Sequence, residues 1–321
     1  MTTTASSELT VSAQGLSRNY GAHRAVREVS VDLRRGEVLG LLGPNGAGKT
    51  TTMQMLTGNL APTSGEVRIC GIDLIDLPTK AKSRIGYLPE VPPLYRELKV
   101  DEYLRLAGQL HKIKKSALKQ QVERAKNRCA LADMGKRLIG SLSKGYQQRV
   151  GIAQAIIHDP DVIILDEPTI GLDPNQIREI RALIRDLGRD HSVILSTHIL
   201  PEVEAVCDRV QILHRGEVVF YDSIAGLKQF RGGQALQIGL HNPPPLAELA
   251  AAAADANIEA INANLFRVCP LGGVDPTDTL VRACVERNWG LYLLQPALAS
   301  LEEVFVQLTQ REDDQSEKAS T

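Results

Sequence analysis

The feature that most constrains the fold is the segment 43–50, which reads GPNGAGKT. It matches the pattern G-x-x-x-x-G-K-[ST] in full. The aliphatic segment Val38–Leu42 precedes it, and a helical pattern from about Lys49 to Leu60 follows it. A strand, a glycine-rich turn and a helix in this order surround a phosphate with backbone N–H groups and a helix N-terminus. The segment therefore predicts an α/β fold that binds a nucleoside triphosphate.

The last two residues of this segment have side chains that suit a triphosphate. Lys49 is placed to reach the β- and γ-phosphates, and the Thr50 hydroxyl is a ligand for Mg²⁺. The alternative is a glycine-rich turn without a ligand, and a chance match would arise in roughly one chain of this kind in a hundred. The flanking strand and helix make that alternative weaker still.

The segment 161–174, DVIILDEPTIGLDP, is the second informative stretch. Its aliphatic run predicts a buried strand that ends at Asp166, and ligands of open α/β sheets bind at the carboxyl ends of strands. A carboxylate there can hold Mg²⁺ directly or through water. The adjacent Glu167 is available to orient or deprotonate an attacking water. An acidic strand end that only caps the next helix is the alternative, and the phosphate-binding loop weighs against it.

Two further residues become candidates only beside these motifs. His198 follows the predicted strand Ser192–Ser196, although a single histidine is more often structural. Tyr20 precedes the strand that leads into the phosphate-binding loop. It could stack on an adenine ring or could be an ordinary packing residue.

The rest of the first half alternates short strands with helices, as α/β domains do. Period-2 alternation predicts strands at Leu9–Ala13 and Val29–Leu33, and helices are expected at Asn175–Leu187 and Leu200–Val206. The polar stretch from about 100 to 136 predicts a mostly helical insert. We expect four parts. They are a flexible N-terminus at 1–8, a nucleotide-binding domain at 9–230 with a helical part at about 88–150, a small α+β domain at 231–310 and a disordered tail at 311–321.

Charge and cysteine content exclude several classes of protein. The 37 Lys and Arg residues balance 38 Asp and Glu residues, which argues against a strongly basic face for nucleic acid. The apolar runs are shorter than the roughly 18–20 residues that span a bilayer. The cysteines are odd in number and scattered, which favours reduced thiols in a cytosol over disulfides or a metal site. They are Cys70, Cys129, Cys207, Cys269 and Cys284.

These motifs, together with one more, resemble the ATP-binding subunits of ABC transporters. The additional segment, LSKGYQQR at 142–149, is similar to the family's signature motif and lies between the phosphate-binding loop and Asp166. The resemblance covers about 9–230. It implies a P-loop ABC ATPase fold, with a mixed sheet core, an antiparallel β subdomain and a helical subdomain. The sequences of 143–149 and 171–181 look most like those of the drug-efflux and gliding-motility exporters. That group also carries a small C-terminal domain that ends in a pattern like LEEVFVQLT, which occurs here at 301–309.

The resemblance also implies a role for each matching residue on the nucleotide side. Tyr20 would stack on adenine, Glu167 would be the general base, and His198 would polarise the γ-phosphate. The residues that would hold the phosphates and magnesium are Gly43, Pro44, Asn45, Gly46, Ala47, Gly48, Lys49, Thr50 and Thr51.

Other implied roles concern the metal and a second ATPase subunit. The residues implied as magnesium ligands are Thr50, Glu90 and Asp166. Ser143 and Gly145 would contact the γ-phosphate that the opposite subunit binds. Asp173 would belong to the loop that links the two sites of the dimer. Two ATP molecules would thus lie between two subunits.

The chain departs from the family pattern in two places. The loop Tyr87–Glu90 ends in Glu90, where the family usually has glutamine. The glutamate can still ligate magnesium, but it adds a negative charge. The signature segment has Lys144 and Tyr146 in place of glycine and glutamine. Its small residues Ser143 and Gly145, which must approach a phosphate closely, are retained.

By this resemblance, the chain would energise a membrane exporter through ATP-driven dimer closure and hydrolysis. It would pair with an identical or related ATPase subunit. It would lie peripherally on the cytoplasmic face of the inner membrane, docked on separate transmembrane permease subunits and without nucleic acid. The alternative is a soluble ABC-type ATPase acting on ribosomes or DNA, but such proteins usually carry two cassettes or a long coiled coil. A regulatory protein that binds ATP without hydrolysing it is a third possibility, against which Glu167 and His198 argue.

Overall fold

The computed structural model describes residues 9–231, 235–253, 256–270 and 275–297. It divides the chain into two compact units, Met1–Ile224 and Ala225–Thr321. The terminal segments 1–8 and 311–321, and the pattern at 301–309, lie outside the described residues. The predicted domain limits remain predictions.

The first unit contains two sheets and the helices that connect their strands. Its strands are β1 (Leu9–Tyr20), β2 (His23–Arg34), β3 (Val38–Leu42), β4 (Ser64–Ile69), β5 (Ile72–Asp73), β6 (Ile85–Leu88), β7 (Val162–Asp166), β8 (Ser192–Thr197), β9 (Arg209–His214) and β10 (Glu217–Ser223). Its helices are α1 (Lys49–Leu56), α2 (Pro78–Lys82), α3 (Val100–Leu110), α4 (Lys115–Arg128), α5 (Lys144–Ile156), α6 (Pro174–Leu187) and α7 (Leu200–Val206). Short 3₁₀ turns lie at Ala132–Met134 and Ile139–Ser141, and α8 (Ile224–Arg231) begins where the second unit begins.

The central sheet has six strands in the order β10-β9-β3-β8-β7-β6. Every neighbouring pair is parallel except β10 with β9, which is antiparallel, so the sheet is mixed. All residues of β3, β7 and β8 are buried. Strands covered on both faces need continuous aliphatic runs rather than alternation, which is the pattern these segments have. The carboxyl ends of these strands carry the residues of interest.

The second sheet of this unit is antiparallel, in the order β2-β1-β4-β5. Its inward side chains share one core with α1 and the central sheet, including Leu16, Leu33, Met53 and Ile164, all with no exposed surface. This arrangement confirms the mixed sheet core and the antiparallel β subdomain. Because the core is continuous, the start of α1 is fixed against both sheets.

Helices α3, α4 and α5 pack on one another and form the helical part of the unit. Helix α3 buries Val100, Leu104 and Ala107 on one face, at helical spacing. Within the described ranges, none of the helices has the length and apolar character that crossing a membrane requires.

In the described part of the second unit, α8 is followed by a four-stranded antiparallel sheet and two more helices. Its strands β11 (Leu236–Leu240), β12 (Ala256–Asn262), β13 (Leu265–Pro270) and β14 (Leu291–Pro296) lie in the order β12-β13-β11-β14. Helices α9 (Leu246–Ala252) and α10 (Thr277–Glu286) share an apolar core with the sheet, in which Ile238, Val268 and Leu280 are fully buried. The unit is of the α+β type.

Buried cysteines contribute to both cores as apolar side chains. Cys129 and Cys207 in the first unit and Cys284 in the second are buried. Burial raises the pKa of Cys129 to about 12, so this thiol stays protonated at neutral pH. Its environment is that of a packing residue rather than a nucleophile.

Two leucines of α3 give a matched test of the helical core. Leu104 has no exposed surface, whereas Leu110 on the same helix is 73% exposed. Leu104→Ala should lower the free energy of unfolding by about 2–5 kcal/mol, because it leaves a cavity. Leu110→Ala should change it by no more than about 0.5 kcal/mol. Urea denaturation of both variants checks this, and equal effects would contradict the packing of α3.

Candidate active site

A cleft of about 660 Å³ lies at the carboxyl ends of the central strands. Most of the residues predicted from the motifs meet there. The described residues that line it are Tyr20, His23, Ala25, Asn45, Gly46, Gly48, Lys49, Thr50, Thr51, Glu90, Glu167, Ile170 and His198. The cleft therefore joins the phosphate-binding loop, both candidate catalytic residues and Glu90 in one site.

The phosphate-binding loop connects β3 to α1 and requires glycine for two reasons. Gly46 and Gly48 have φ of +81° and +101°, which side chains rarely adopt. A Cβ atom at Gly43 would lie 2.5 Å from the Leu213 carbonyl oxygen, and one at Gly48 would lie 2.8 Å from that of Ala25. The loop can therefore wrap tightly, with its N–H groups available to an anion.

Lys49 lies across this loop and is only 6% exposed. Its Nζ donates to the carbonyl oxygens of Gly43 (2.8 Å) and Pro44 (3.2 Å) and lies 3.3 Å from Glu167 Oε1. Gly43 and Pro44 thus contribute by holding Lys49. Neither of them is among the described residues that line the cleft, and the same is true of the buried Ala47. A buried ammonium with these three contacts lies where it can also bind an added anion.

Asp166 ends β7 and is fully buried. Its Oδ1 accepts hydrogen bonds from Ser196 Oγ (2.5 Å) and Thr50 Oγ1 (3.5 Å). Its Oδ2 has no hydrogen-bond partner among the residues that the structure describes. Burial and the charge of Asp166 raise the pKa of Tyr87 to about 12. A buried carboxylate oxygen without a partner is costly unless a cation binds it, so the chemistry of this position fits Mg²⁺.

Glu167 follows Asp166 and contacts three other residues of the site. Its φ of +47° is unusual for a residue with a side chain, and its N–H is held by Ser196 Oγ at 3.0 Å. Its Oε2 lies 3.0 Å from His198 Nδ1, and its Oε1 faces Lys49. Because an ionised carboxylate only accepts hydrogen bonds, His198 Nδ1 carries the proton in this contact. The structure brings Lys49, Glu167 and His198 into one chain of contacts.

Tyr20 forms one wall of the cleft at the end of β1. Its ring is 47% exposed, and the Arg18 guanidinium lies 4.9 Å from the ring centroid. Arg18 in turn donates to the Ala61 carbonyl oxygen at 2.9 Å. A ring supported in this way and exposed to the cleft can stack on a planar base.

Ser143, Gly145 and Asp173 are not among the described residues that line this cleft. Ser143 caps α5, accepting from Tyr146 N at 3.5 Å, and Asp173 caps α6, accepting from Asn175 N at 2.9 Å. Gly145 lies against the Gln176 side chain: a Cβ atom added to Gly145 would lie 2.7 Å from Gln176 Cδ. Their roles at the nucleotide of an opposite subunit remain predictions.

Several residues of the site have no motif that singles them out. His23, Ala25 and Ile170 line the cleft, and Ser196 contacts both Asp166 and Glu167. Ser196 is the last residue of the predicted strand before His198, and no local pattern distinguishes it from the other residues of that strand. His23 is the first residue of β2, directly after the turn that follows Tyr20, and the sequence carries no signal there.

Comparison with known proteins identifies relatives of this chain. The ABC transporter family matches residues 26–170. The ABC transporter ATP-binding protein NatA of Bacillus subtilis is 40% identical over 206 residues, 64% of this chain and 84% of NatA. The bacitracin transport ATP-binding protein BcrA of Bacillus licheniformis is 39% identical over 64% of this chain and 66% of BcrA.

A solved structure is similar over the same part of the chain. It is the dimeric ABC transporter cassette MJ0796, 25% identical, with a TM-score of 0.61 over 67% of this chain and 98% of the cassette. These relatives do not favour the alternative of a soluble ATPase acting on ribosomes or DNA. The chain belongs to the ABC transporter ATP-binding protein family.

Proposed function

We propose that this protein energises a membrane exporter by closing on ATP as a dimer and reopening after hydrolysis. Binding and hydrolysis of ATP follow from its family. The observation that carries the assignment of residues is the contact of Glu167 with both His198 and Lys49 in the cleft. Support for a transport role comes from BcrA, which is named for bacitracin transport. Export itself rests on the likeness of 143–149 and 171–181 to the drug-efflux group.

Thr50 and Asp166 are the residues that would hold Mg²⁺ with the triphosphate, and Glu90 faces the same cleft. The ion would neutralise charge on the β- and γ-phosphates. The carboxylate of Glu90 brings one more negative charge than the glutamine usual in the family. This charge strengthens the attraction for a cation and weakens that for the phosphates.

Glu167 would accept the proton of the attacking water as general base. Its carboxylate is oriented by His198, whose Nδ1–H donates to Oε2. Lys49 lies within reach of both the loop carbonyls and Oε1, so the γ-phosphate competes with Glu167 for the ammonium. Binding of the triphosphate would then leave the Glu167 carboxylate available to water.

A second subunit would complete the site, as the dimeric state of MJ0796 supports for a related cassette. Ser143 lies at the N-terminus of α5, where backbone N–H groups and the helix dipole favour an anion. In the dimer, Ser143 and Gly145 would contact the γ-phosphate of the partner, and Asp173 would link the two sites. Permease subunits would hold this dimer at the cytoplasmic face of the inner membrane.

Glu167→Gln tests the proposed base. The variant keeps the size of the side chain but cannot accept the proton, so steady-state ATP hydrolysis should fall by about a hundredfold or more. The Kd for ATP should change by no more than about twofold. Glu97→Gln, the same change at an exposed carboxylate, should behave as the parent. Parental turnover in Glu167→Gln would remove Glu167 from this role.

Ser143→Arg tests the shared site. In the Glu167→Gln background, ATP and magnesium should produce a dimer detectable by light scattering. The arginine should prevent it, because the larger side chain crowds the γ-phosphate of the partner. Loss of the helix cap costs about 0.5–2 kcal/mol, so thermal unfolding of the variant should be measured alongside. Ser141→Arg is the neighbouring control, and an unchanged dimer fraction in Ser143→Arg would contradict the shared site.

The permease is testable by affinity capture of Glu167→Gln with ATP and magnesium from the native host. We expect a membrane protein with several transmembrane segments to be recovered with it and identified by mass spectrometry. Loss of that protein in Ser143→Arg would tie its recovery to the closed dimer. Recovery of ribosomal or DNA-binding proteins without a membrane protein would contradict the transport role.

A further inference from the structure

A buried carboxylate outside the cleft connects the two loops that carry the proposed catalytic residues. Glu202 lies in the first turn of α7 and is 2% exposed. The Thr169 hydroxyl donates to both of its oxygens, at 2.7 and 2.8 Å. The Thr197 hydroxyl donates to Oε2 at 2.8 Å. One carboxylate is therefore the common acceptor for two hydroxyls, one in the loop after β7 and one at the end of β8.

Each of these threonines lies next to a residue of the cleft. Thr169 is two residues after Glu167, in the loop between β7 and α6. Thr197 directly precedes His198, and its Oγ1 also accepts from Ile199 N at 3.1 Å. The bonds to Glu202 thus fix both backbone segments that set the 3.0 Å contact of His198 Nδ1 with Glu167 Oε2.

The charge of Glu202 is balanced from a third element. Arg181 of α6 places Nη2 3.5 Å from Oε1. A buried ion pair is seldom more stabilising than apolar side chains of the same volume, because removing both charges from water is costly. Packing alone does not call for a carboxylate here. A buried network of hydrogen bonds instead fixes the geometry of the groups that it joins.

The backbone of Glu167 needs such fixing. A φ of +47° at a non-glycine residue is strained and persists only when the surroundings impose it. Ser196 Oγ holds the N–H on one side of the residue. Glu202 holds Thr169 on the other side, so the strained residue is fixed at both ends.

We infer that Glu202 is a positioning residue for ATP hydrolysis: through Thr169 and Thr197 it holds Glu167 and His198 in contact. The inference rests on the roles proposed above for these two residues. Glu202 is not among the described residues that line the cleft, so it acts through the threonines rather than on the nucleotide.

Glu202→Gln is the test, because glutamine has the same shape but lacks the charge and one of the two acceptor oxygens. We expect kcat for ATP hydrolysis to fall about tenfold to a hundredfold, as is typical when a supporting hydrogen bond is lost. The KM for ATP should stay within about twofold. Val203→Ala is the control on the same helix: Val203 is fully buried, so this variant should lower the melting temperature while retaining kcat at 20–25 °C.

Hydrogen exchange supplies a readout that does not depend on turnover. Without added nucleotide, Glu202→Gln should exchange faster than the parent in peptides covering 166–173 and 196–200, and Val203→Ala should not do so selectively. Should Glu202→Gln fail to fold, Thr197→Val removes one of the same bonds at nearly constant volume, and the same kcat loss with unchanged KM is expected. Parental kcat in a folded variant, or parental exchange in both peptides, would overturn the inference.

The outcomes separate this inference from the proposed base. Glu167→Gln is assayed beside Glu202→Gln. Parental turnover in Glu167→Gln contradicts the base itself. Parental turnover and exchange in Glu202→Gln, beside an inactive Glu167→Gln, contradict only the positioning role.

Discussion

The site depends on the hydroxyl of Ser196, which bonds two consecutive residues of the neighbouring strand end. It donates to Asp166 Oδ1 at 2.5 Å and accepts from Glu167 N at 3.0 Å. Both bonds lie in the buried interior, where hydrogen bonds are electrostatically stronger than in water. One side chain thereby fixes the carboxylate placed for the metal and the backbone turn that directs Glu167 toward His198.

The parallel register of the sheet makes this contact possible. Asp166 is paired with Ser196, and Leu42 with Thr197, so β7, β8 and β3 end at the same level. The phosphate-binding loop, the two carboxylates and His198 each follow directly from one of these ends. A slip of one residue in any of the three strands would turn the end side chain to the other face of the sheet. The buried aliphatic side chains of these strands fix their register, and the register brings the residues of the cleft together.

The sequence predicts the parts of this arrangement that are encoded locally. The bounds of β3 and α7 agree with the predicted segments, because an aliphatic run and a helical period are properties of neighbouring residues. Strands β1 and β2 extend further than the alternation at 9–13 and 29–33 suggests, since register shifts between them interrupt the period-2 pattern. Ser196 and Glu202 could not be identified in this way. Their partners Asp166 and Thr169 are about 30 residues away in the chain and adjacent only in the fold.

The loop from Glu167 to Asp173 is restrained along its whole length, and this accounts for a departure in the signature segment. Ser196 holds its first residue, Glu202 holds Thr169, and Asp173 closes it as the cap of α6. Between these points Gly171 has φ of +67°. A Cβ atom added to Gly171 would lie 2.1 Å from the Lys144 ammonium. The lysine that replaces the usual glycine therefore fits because this loop has a glycine opposite it. The side chain of Lys144 at the start of α5 thus lies against the loop of the proposed base.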